Sequence, residues 1–415
     1  MTKRLRLGIP AAILCSAALL AACVGGKNQS AGGLAPPPPI LNDLAVTVDS
    51  GPAGATGQIN HAYVTVRVCA AGSQTQCANI DHVLLDTDST GLRLIRSVLT
   101  AAGVTLAGAT DAQGQGIEEC VSFGSGQVWG PVAAADLTMA GEAAQKVPVQ
   151  VLDDAGAGAP PPATCGAGGT LINSVSALGA NGMLGVGVFA QDCGAACVGA
   201  ATPLPVYYGC SAAGVCTAEN LALASQVSNP VAMFAADNNG IIVDLPSLIN
   251  ANGDTSVHGQ LLFGIGTQSD NALPLTGLTV LGTDAQGDFT ATYNGNATVL
   301  PAVIDSGTDS YSFDDPSIAH CTSGAFIGYY CPAVAPQTLF AMNMGVGTNS
   351  GTNTVNFAVA DPNTFVAGAA AFANLAGGGG SSSFTWGMPF FYGRKVYVGI
   401  EQRTAGNFTG PYFAY

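Results

Sequence analysis

One short signature occurs twice along this chain of 415 residues. The first copy is Val83-Leu84-Leu85-Asp86-Thr87-Asp88-Ser89-Thr90-Gly91, and the second is Ala302-Val303-Ile304-Asp305-Ser306-Gly307-Thr308. In each, an apolar β-type run ends in Asp, followed by Thr or Ser, a turn residue, and Ser or Thr. Each half also carries a later apolar strand punctuated by glycine, Met183-Leu184-Gly185 in the first and Trp386-Gly387 in the second. Repetition of this kind calls for two similar halves about a pseudo-two-fold axis, with the repeated turns facing each other. A lone Asp-Thr-x-Ser reads as a turn that caps a strand. Two copies in matched contexts predict a carboxyl dyad, in which contact between two acids makes double ionisation costly and one proton is shared.

Composition supports a mostly β chain. Charged residues are only 9% of the total, and 56 residues are Gly, so few segments read as amphipathic helix and many as short strands closed by Gly, Asn or Asp. The length is ample for two lobes, each with its own core. The net charge of −15 excludes a basic nucleic-acid stripe. Acidity with so few charges fits a secreted bacterial protein or one tolerating low pH, and ordinary solubility explains it equally well. No G-x-S-x-G elbow, phosphate loop or dinucleotide fingerprint is present. Neither a cofactor nor a metal is expected.

Residues 1–22 read as a targeting segment: Lys3, Arg4 and Arg6 precede an apolar stretch too short for a confident membrane span. It ends in Leu20-Ala21-Ala22-Cys23, which resembles a bacterial lipobox; that resemblance implies lipidation at Cys23 and, with Val24 following and no Asp, an outer-membrane lipoprotein of the cell envelope. Cleavage to a soluble protein is the alternative. Loss of the segment removes three cations and no acid, taking the net charge from −15 to −18. Residues 23–41, with Pro36 to Pro39, form a semi-extended tether. Ten further cysteines predict up to five disulfides in an oxidising compartment: Cys69–Cys77, Cys210–Cys216 and Cys321–Cys331 by short spacing, with Cys193/Cys197 and Cys120/Cys165 as the remaining pairs. Zinc is the alternative use of these thiols, but none of the four His lies at ligand spacing to two cysteines.

Taken in order, the motifs resemble those of the pepsin-like aspartic peptidases over roughly residues 44–400. Asp86-Thr87-Asp88-Ser89 and Asp305-Ser306-Gly307-Thr308 stand at the two Asp motifs, Ser122-Phe123-Gly124-Ser125-Gly126 is similar to the flap hairpin, and Asn181 to Gly187 to the Gly-rich strand between them. Gly259 to Gly264 resembles the strand opening the second lobe, and Trp386 to Ile400 the closing region. With the lipobox, the chain resembles proteobacterial lipoproteins of a domain-of-unknown-function group that carry this pattern.

The resemblance implies a bilobal fold, an N-terminal lobe at 42–225 and a C-terminal lobe at 226–415. It implies a monomer that holds an extended peptide or a protein partner in the interlobe cleft and meets the membrane only through its lipid. Asp86 and Asp305 would be catalytic, Thr87 and Ser306 would brace the two turns, and Ser89 and Thr308 would donate to the outer carboxyl oxygens. Two departures weigh against activity. Asp88 stands where the second copy has Gly307, adding a Cβ and a charge beside the dyad, and Phe123 replaces the flap tyrosine. Arg93 stands where the family has an aromatic; it either pairs with Asp88 or is solvated. A catalytically inactive envelope protein that binds a peptide, glycan or protein in the same cleft is therefore the second expectation.

Overall fold

A computed structural model describes residues 42–415 apart from 155, 157, 167, 168, 275 and 381. The targeting segment, Cys23 and the tether lie outside the described residues. Among those described, strands dominate, and the α-helices are two short ones, α1 (Arg96–Ala101) and α2 (Val175–Leu178). No described helix is long and apolar enough to cross a membrane.

In the first half, β1 (Asp43–Val48), β2 (Ala62–Ala70) and β3 (Cys77–Asp86) pair antiparallel in sequence. The last four residues of β3, Val83 to Asp86, are all buried. A continuous apolar run suits this place, because β3 has sheet neighbours on both sides. The chain then turns through residues 87–89 into β4 (Thr90–Ile95), and later forms the hairpin β5 (Gly116–Phe123) and β6 (Gly126–Met139), followed by β7 (Glu142–Leu152). Strand β8 (Gly182–Val186) inserts between β3 and β4, parallel to the first with Asp86 opposite Gly185, and antiparallel to the second with Gly91 also opposite Gly185. A Cβ on Gly185 would stand 2.7 Å from Ser89 C and Thr90 N, so only glycine lets the strand pass beneath the turn. The short hairpin β9 (Tyr207–Cys210) and β10 (Cys216–Ala218) extends the sheet beyond β5.

The second half repeats this arrangement. Strands β11 (Gly240–Leu245) and β12 (Val257–Phe263) pair with each other, and β12 also pairs with β1 from Asp43↔Leu262 to Val48↔Val257. The sixteen-stranded sheet is therefore continuous across both halves. A second sheet of seven strands contains β13 (Phe289–Tyr293), β14 (Val299–Ile304) and β15 (Tyr311–Phe313). Its β16 (Phe384–Trp386) runs parallel to β14, with Ile304 opposite Trp386, and antiparallel to β15. A Cβ on Gly387, just past β16, would stand 2.0 Å from Ser310 O, the same crowding as at Gly185.

The core runs under both turns. Leu85, Leu184, Ile304 and Trp386 are fully buried in one cluster, each aliphatic side chain contributing about 1.5–3 kcal/mol relative to exposure. The Trp386 indole N–H donates to Asn343 Oδ1 at 2.9 Å, satisfying its one polar atom in the core. All five disulfides predicted from the sequence are formed; Cys69–Cys77 joins β2 to β3, and Cys210–Cys216 joins β9 to β10.

Two apolar segments are broken by proline turns. Residues 225–236 are mostly turn, with a 3-10 segment at Val231–Met233 that Pro230 opens and Asn229 Oδ1 caps by accepting from Val231 N–H at 3.1 Å. Within residues 384–400, Pro389 sits in a 3-10 turn (Met388–Phe390), so the run divides into β16 and β17 (Arg394–Gly399).

Candidate active site

Asp86 closes β3, and Asp305 follows directly on β14. Asp86 is buried and Asp305 half-buried. A Cβ placed on Gly307 would stand 2.9 Å from Asp86 Cγ, 3.1 Å from Asp86 Oδ2 and 3.1 Å from Asp305 Oδ1. Both carboxyl groups therefore converge on one point. Gly307 has no positive φ, so glycine is needed there for space and not for conformation.

Each carboxyl group is oriented by its own turn. Asp86 Oδ1 accepts from the backbone N–H of Asp88 at 2.9 Å and of Ser89 at 3.1 Å, while Ser89 Oγ donates to Oδ2 at 2.7 Å. Asp305 Oδ1 accepts from Gly307 N–H at 2.7 Å, and Thr308 Oγ1 donates to Oδ2. Burial, then the negative charges of Asp86 and Asp88, push the Asp305 carboxyl well above the usual range; the bonds from Thr308 and Gly307 oppose that push without overcoming it. The pair therefore resists double ionisation, and Asp305 gives up a proton less readily than an isolated carboxyl does.

The turns are braced to each other at their base. Thr87 Oγ1 donates to Ile304 O at 2.8 Å and accepts from Ser306 N–H at 3.0 Å, and Ser306 Oγ donates to Leu85 O at 2.7 Å. Both side chains are fully buried. These bonds tie residues more than 200 positions apart and set the distance between the two carboxylates.

Asp88 keeps the backbone role that Gly307 plays in the other turn: its N–H reaches the neighbouring carboxylate, and its φ is not positive. Its side chain is exposed and has no hydrogen-bond or ion-pair partner among the described residues. Surrounding protein, Asp86 and Asp288 raise its carboxyl to about 7, a push that solvent at this exposed group partly screens. Asp288 comes from the other half. Its loop reaches this region because Gly287 lies against Val188 and Phe189, just beyond Gly187, which itself packs under Thr87 O and Ser89 O.

Arg93 neither pairs with Asp88 nor reaches solvent. It is buried, donating from Nη2 to Glu119 Oε1 at 3.0 Å and Asp192 Oδ2 at 3.4 Å, from Nε to Gln150 Oε1 at 3.1 Å, and from Nη1 to Thr90 O at 2.7 Å. The reason is register: Arg93 faces Gln150 across the β4–β7 pairing. Charge neutralisation of Asp88 by Arg93 is thereby excluded. Glu119, Asp192, Gln150 and Tyr207 escaped the sequence reading. The signal was Glu118-Glu119 inside a strand, where alternation sends the two carboxylates to opposite faces and both are buried.

The β5–β6 hairpin has Phe123 paired with Gly126 across a tip of Gly124 and Ser125. Phe123 is half-buried against the cluster that contains Met183, whose Sδ is 3.6 Å from Ser89 Oγ, and Arg93 Cζ lies 5.8 Å from the Phe123 ring. The hairpin is stitched on both edges. Strand β9 pairs with β5, Cys120–Cys165 ties β5 to the loop that follows β7, and Gln127 and Trp129 exchange backbone and side-chain bonds with Thr170, Ile172 and Asn173. Among the described residues, the group of metal-ligand types that clusters at ligand spacing is Cys321, Cys331 and Asp361, and those two cysteines are bonded to each other.

A solved structure, the aspartic proteinase from Irpex lacteus, is similar over 90% of this chain and 96% of that one, with a TM-score of 0.52 and 13% sequence identity. The likeness shows the fold: mostly β, bilobal and pepsin-like. No curated protein sequence matches the chain. The family described as "Protein of unknown function (DUF3443)" matches residues 38–415, and the chain belongs to it.

Proposed function

We propose that the protein is an aspartic-type endopeptidase that cuts extended peptides at the Asp86/Asp305 pair. The observation that carries the reading is the convergence of both carboxyl groups on the point beside Gly307, each held by its own turn. A water between the two carboxyls would lose a proton to the ionised Asp86, which three donors hold in place. Its oxygen would add to the scissile carbonyl as the protonated Asp305 donates to the carbonyl oxygen. Collapse of the tetrahedral species would pass a proton to the leaving amine and restore the shared-proton state. We further propose lipidation at Cys23, a place in the outer membrane, and a single chain as the working unit.

The second reading is a binding protein of the same fold without catalysis. The Asp88 side chain beside the dyad and the lack of a hydroxyl on Phe123 favour it. Digestion of an unstructured peptide mixture at acid pH, with and without a statine-containing inhibitor, separates the two. Inhibitor-sensitive cleavage lost in Asp305→Asn supports the peptidase. Absence of cleavage across the acid range sinks it and leaves retention of peptide or glycan in the cleft as the next measurement.

A further inference from the structure

Arg93, Glu119 and Asp192 form an ionic cluster at the root of the β5–β6 hairpin. Arg93 is 1% and Glu119 0% exposed. Two carboxyl groups address a single guanidinium nitrogen, Nη2. Asp192 Oδ1 also accepts from the Tyr207 hydroxyl at 2.5 Å, and Tyr207 Oη accepts from Val227 N–H at 2.8 Å. Were both carboxyls ionised, one negative charge would remain uncompensated in the interior, which is costly. As a carboxylate oxygen, Glu119 Oε2 is buried with no hydrogen-bond partner. A proton on Glu119 resolves both problems. It cancels the excess charge, and it turns the unpartnered Oε2 into a donor beside the Asp192 carboxyl, which shares Arg93 Nη2 with Glu119.

The cluster lies on the strand that leads to the hairpin tip. Glu119 and Phe123 share β5, and the Phe123 ring lies beside Arg93. Each element packed there contributes one group: Arg93 from β4, Glu119 from β5, Asp192 from the segment after β8, Tyr207 from β9, and the neutral Gln150 from β7.

We propose that Arg93 is the positioning residue of the hairpin, and that a proton held between Glu119 and Asp192 fastens the hairpin in acid and releases its tip as the pH rises. The inference rests on the peptidase reading only in treating the hairpin as the cover of the dyad. Burial, reinforced by Asp192 and opposed by Arg93, lifts the Glu119 carboxyl well above its usual range, in keeping with this. Loss of the proton leaves two carboxylates against one guanidinium. The β5–β9 pairing and the Cys120–Cys165 bond keep the base in place, so release is confined to residues 121–127.

Hydrogen exchange of the folded chain, corrected for the chemical rate, tests this between about pH 4 and about pH 8. In the wild type, protection of amides 121–127 is expected to fall by about tenfold or more over that range, while amides in β3 stay protected. Glu119→Gln, whose amide donates to Asp192 without titrating, is expected to show no such fall. Arg93→Lys should retain more protection than Arg93→Gln. Wild-type protection that is flat with pH, or an equal fall in Glu119→Gln, overturns the proposal. Should Glu119→Gln not fold, Asp192→Asn replaces it, since it also removes the second charge. If the wild type cleaves peptides, the alkaline limb of its kcat/KM profile should move to higher pH in Glu119→Gln. If it cleaves none, the peptidase reading fails while the exchange result still decides this one.

Discussion

The Asp86 carboxyl occupies the space that a side chain at Gly307 would need: a Cβ there would stand 2.9 Å from Asp86 Cγ. The two halves of the site therefore meet at an atom that is missing. Gly307→Ala should force the carboxyls apart and reduce peptide cleavage by about a hundredfold or more. The fold should survive, because overpacking of this size costs about 1–3 kcal/mol. Cleavage rate and thermal midpoint measured together check this; unchanged cleavage would show that the carboxyls do not act as a pair.

The braces beneath the dyad predict a stability effect independent of activity. Thr87→Val keeps the shape but orphans two buried backbone groups, Ile304 O and Ser306 N–H. Each orphan costs about 1–3 kcal/mol. Denaturant unfolding should report a loss in that range or above, and Ser306→Ala a smaller one, since only Leu85 O loses its donor. A loss below that of an exposed substitution in either variant would show the braces to be incidental.

What could be read from the chain and what could not divide along a physical line. The two Asp turns were legible because each is local: an apolar run, an Asp, a hydroxyl residue, and a later Gly at the crossing strand, at Gly185 and Gly387. Cys69–Cys77 and Cys210–Cys216 were legible for the same reason, each spanning a single hairpin. The partners of Arg93 were not, since they come from β5, β7 and the segment after β8, and no spacing relates them. Asp288 was hidden likewise, reaching Asp88 only because a loop of the second half leans on Phe189.

Raised carboxyls make a prediction about stability and pH. Glu118 is lifted from 4.5 to about 7 by burial first and by Asp153 second, against Arg96. Asp88 is lifted from 3.8 to about 7, and Asp305 moves in the same direction. An acid whose folded value exceeds its unfolded one binds more protons when folded, so stability falls as pH rises through that window. The thermal midpoint should therefore decline from about pH 4.5 to about pH 7.5. Glu118→Gln should remove part of the decline, Glu118 being better shielded from solvent than Asp88. A midpoint that climbs over this range would contradict the sign.

Asp88 combines two effects, bulk and charge, which two substitutions separate. Asp88→Asn keeps the shape and removes the charge; Asp88→Gly removes both and matches the first turn to Gly307. The negative charge of Asp88 is one of the causes that hold the proton on Asp305. Without it, that proton leaves at lower pH, so the alkaline limb of the cleavage profile should move to lower pH in both variants. At acid pH, where a carboxyl raised to about 7 is protonated and uncharged, Asp88→Asn should leave the rate near that of the wild type. If the side chain obstructs the substrate, only Asp88→Gly should rise. Asp305→Asn in the Asp88→Gly background should abolish the gain, because the shared-proton mechanism requires both carboxyl groups. Profiles that coincide in wild type and both variants would show that Asp88 is electrostatically silent, despite standing in the same turn as Asp86 with its backbone N–H on that carboxylate.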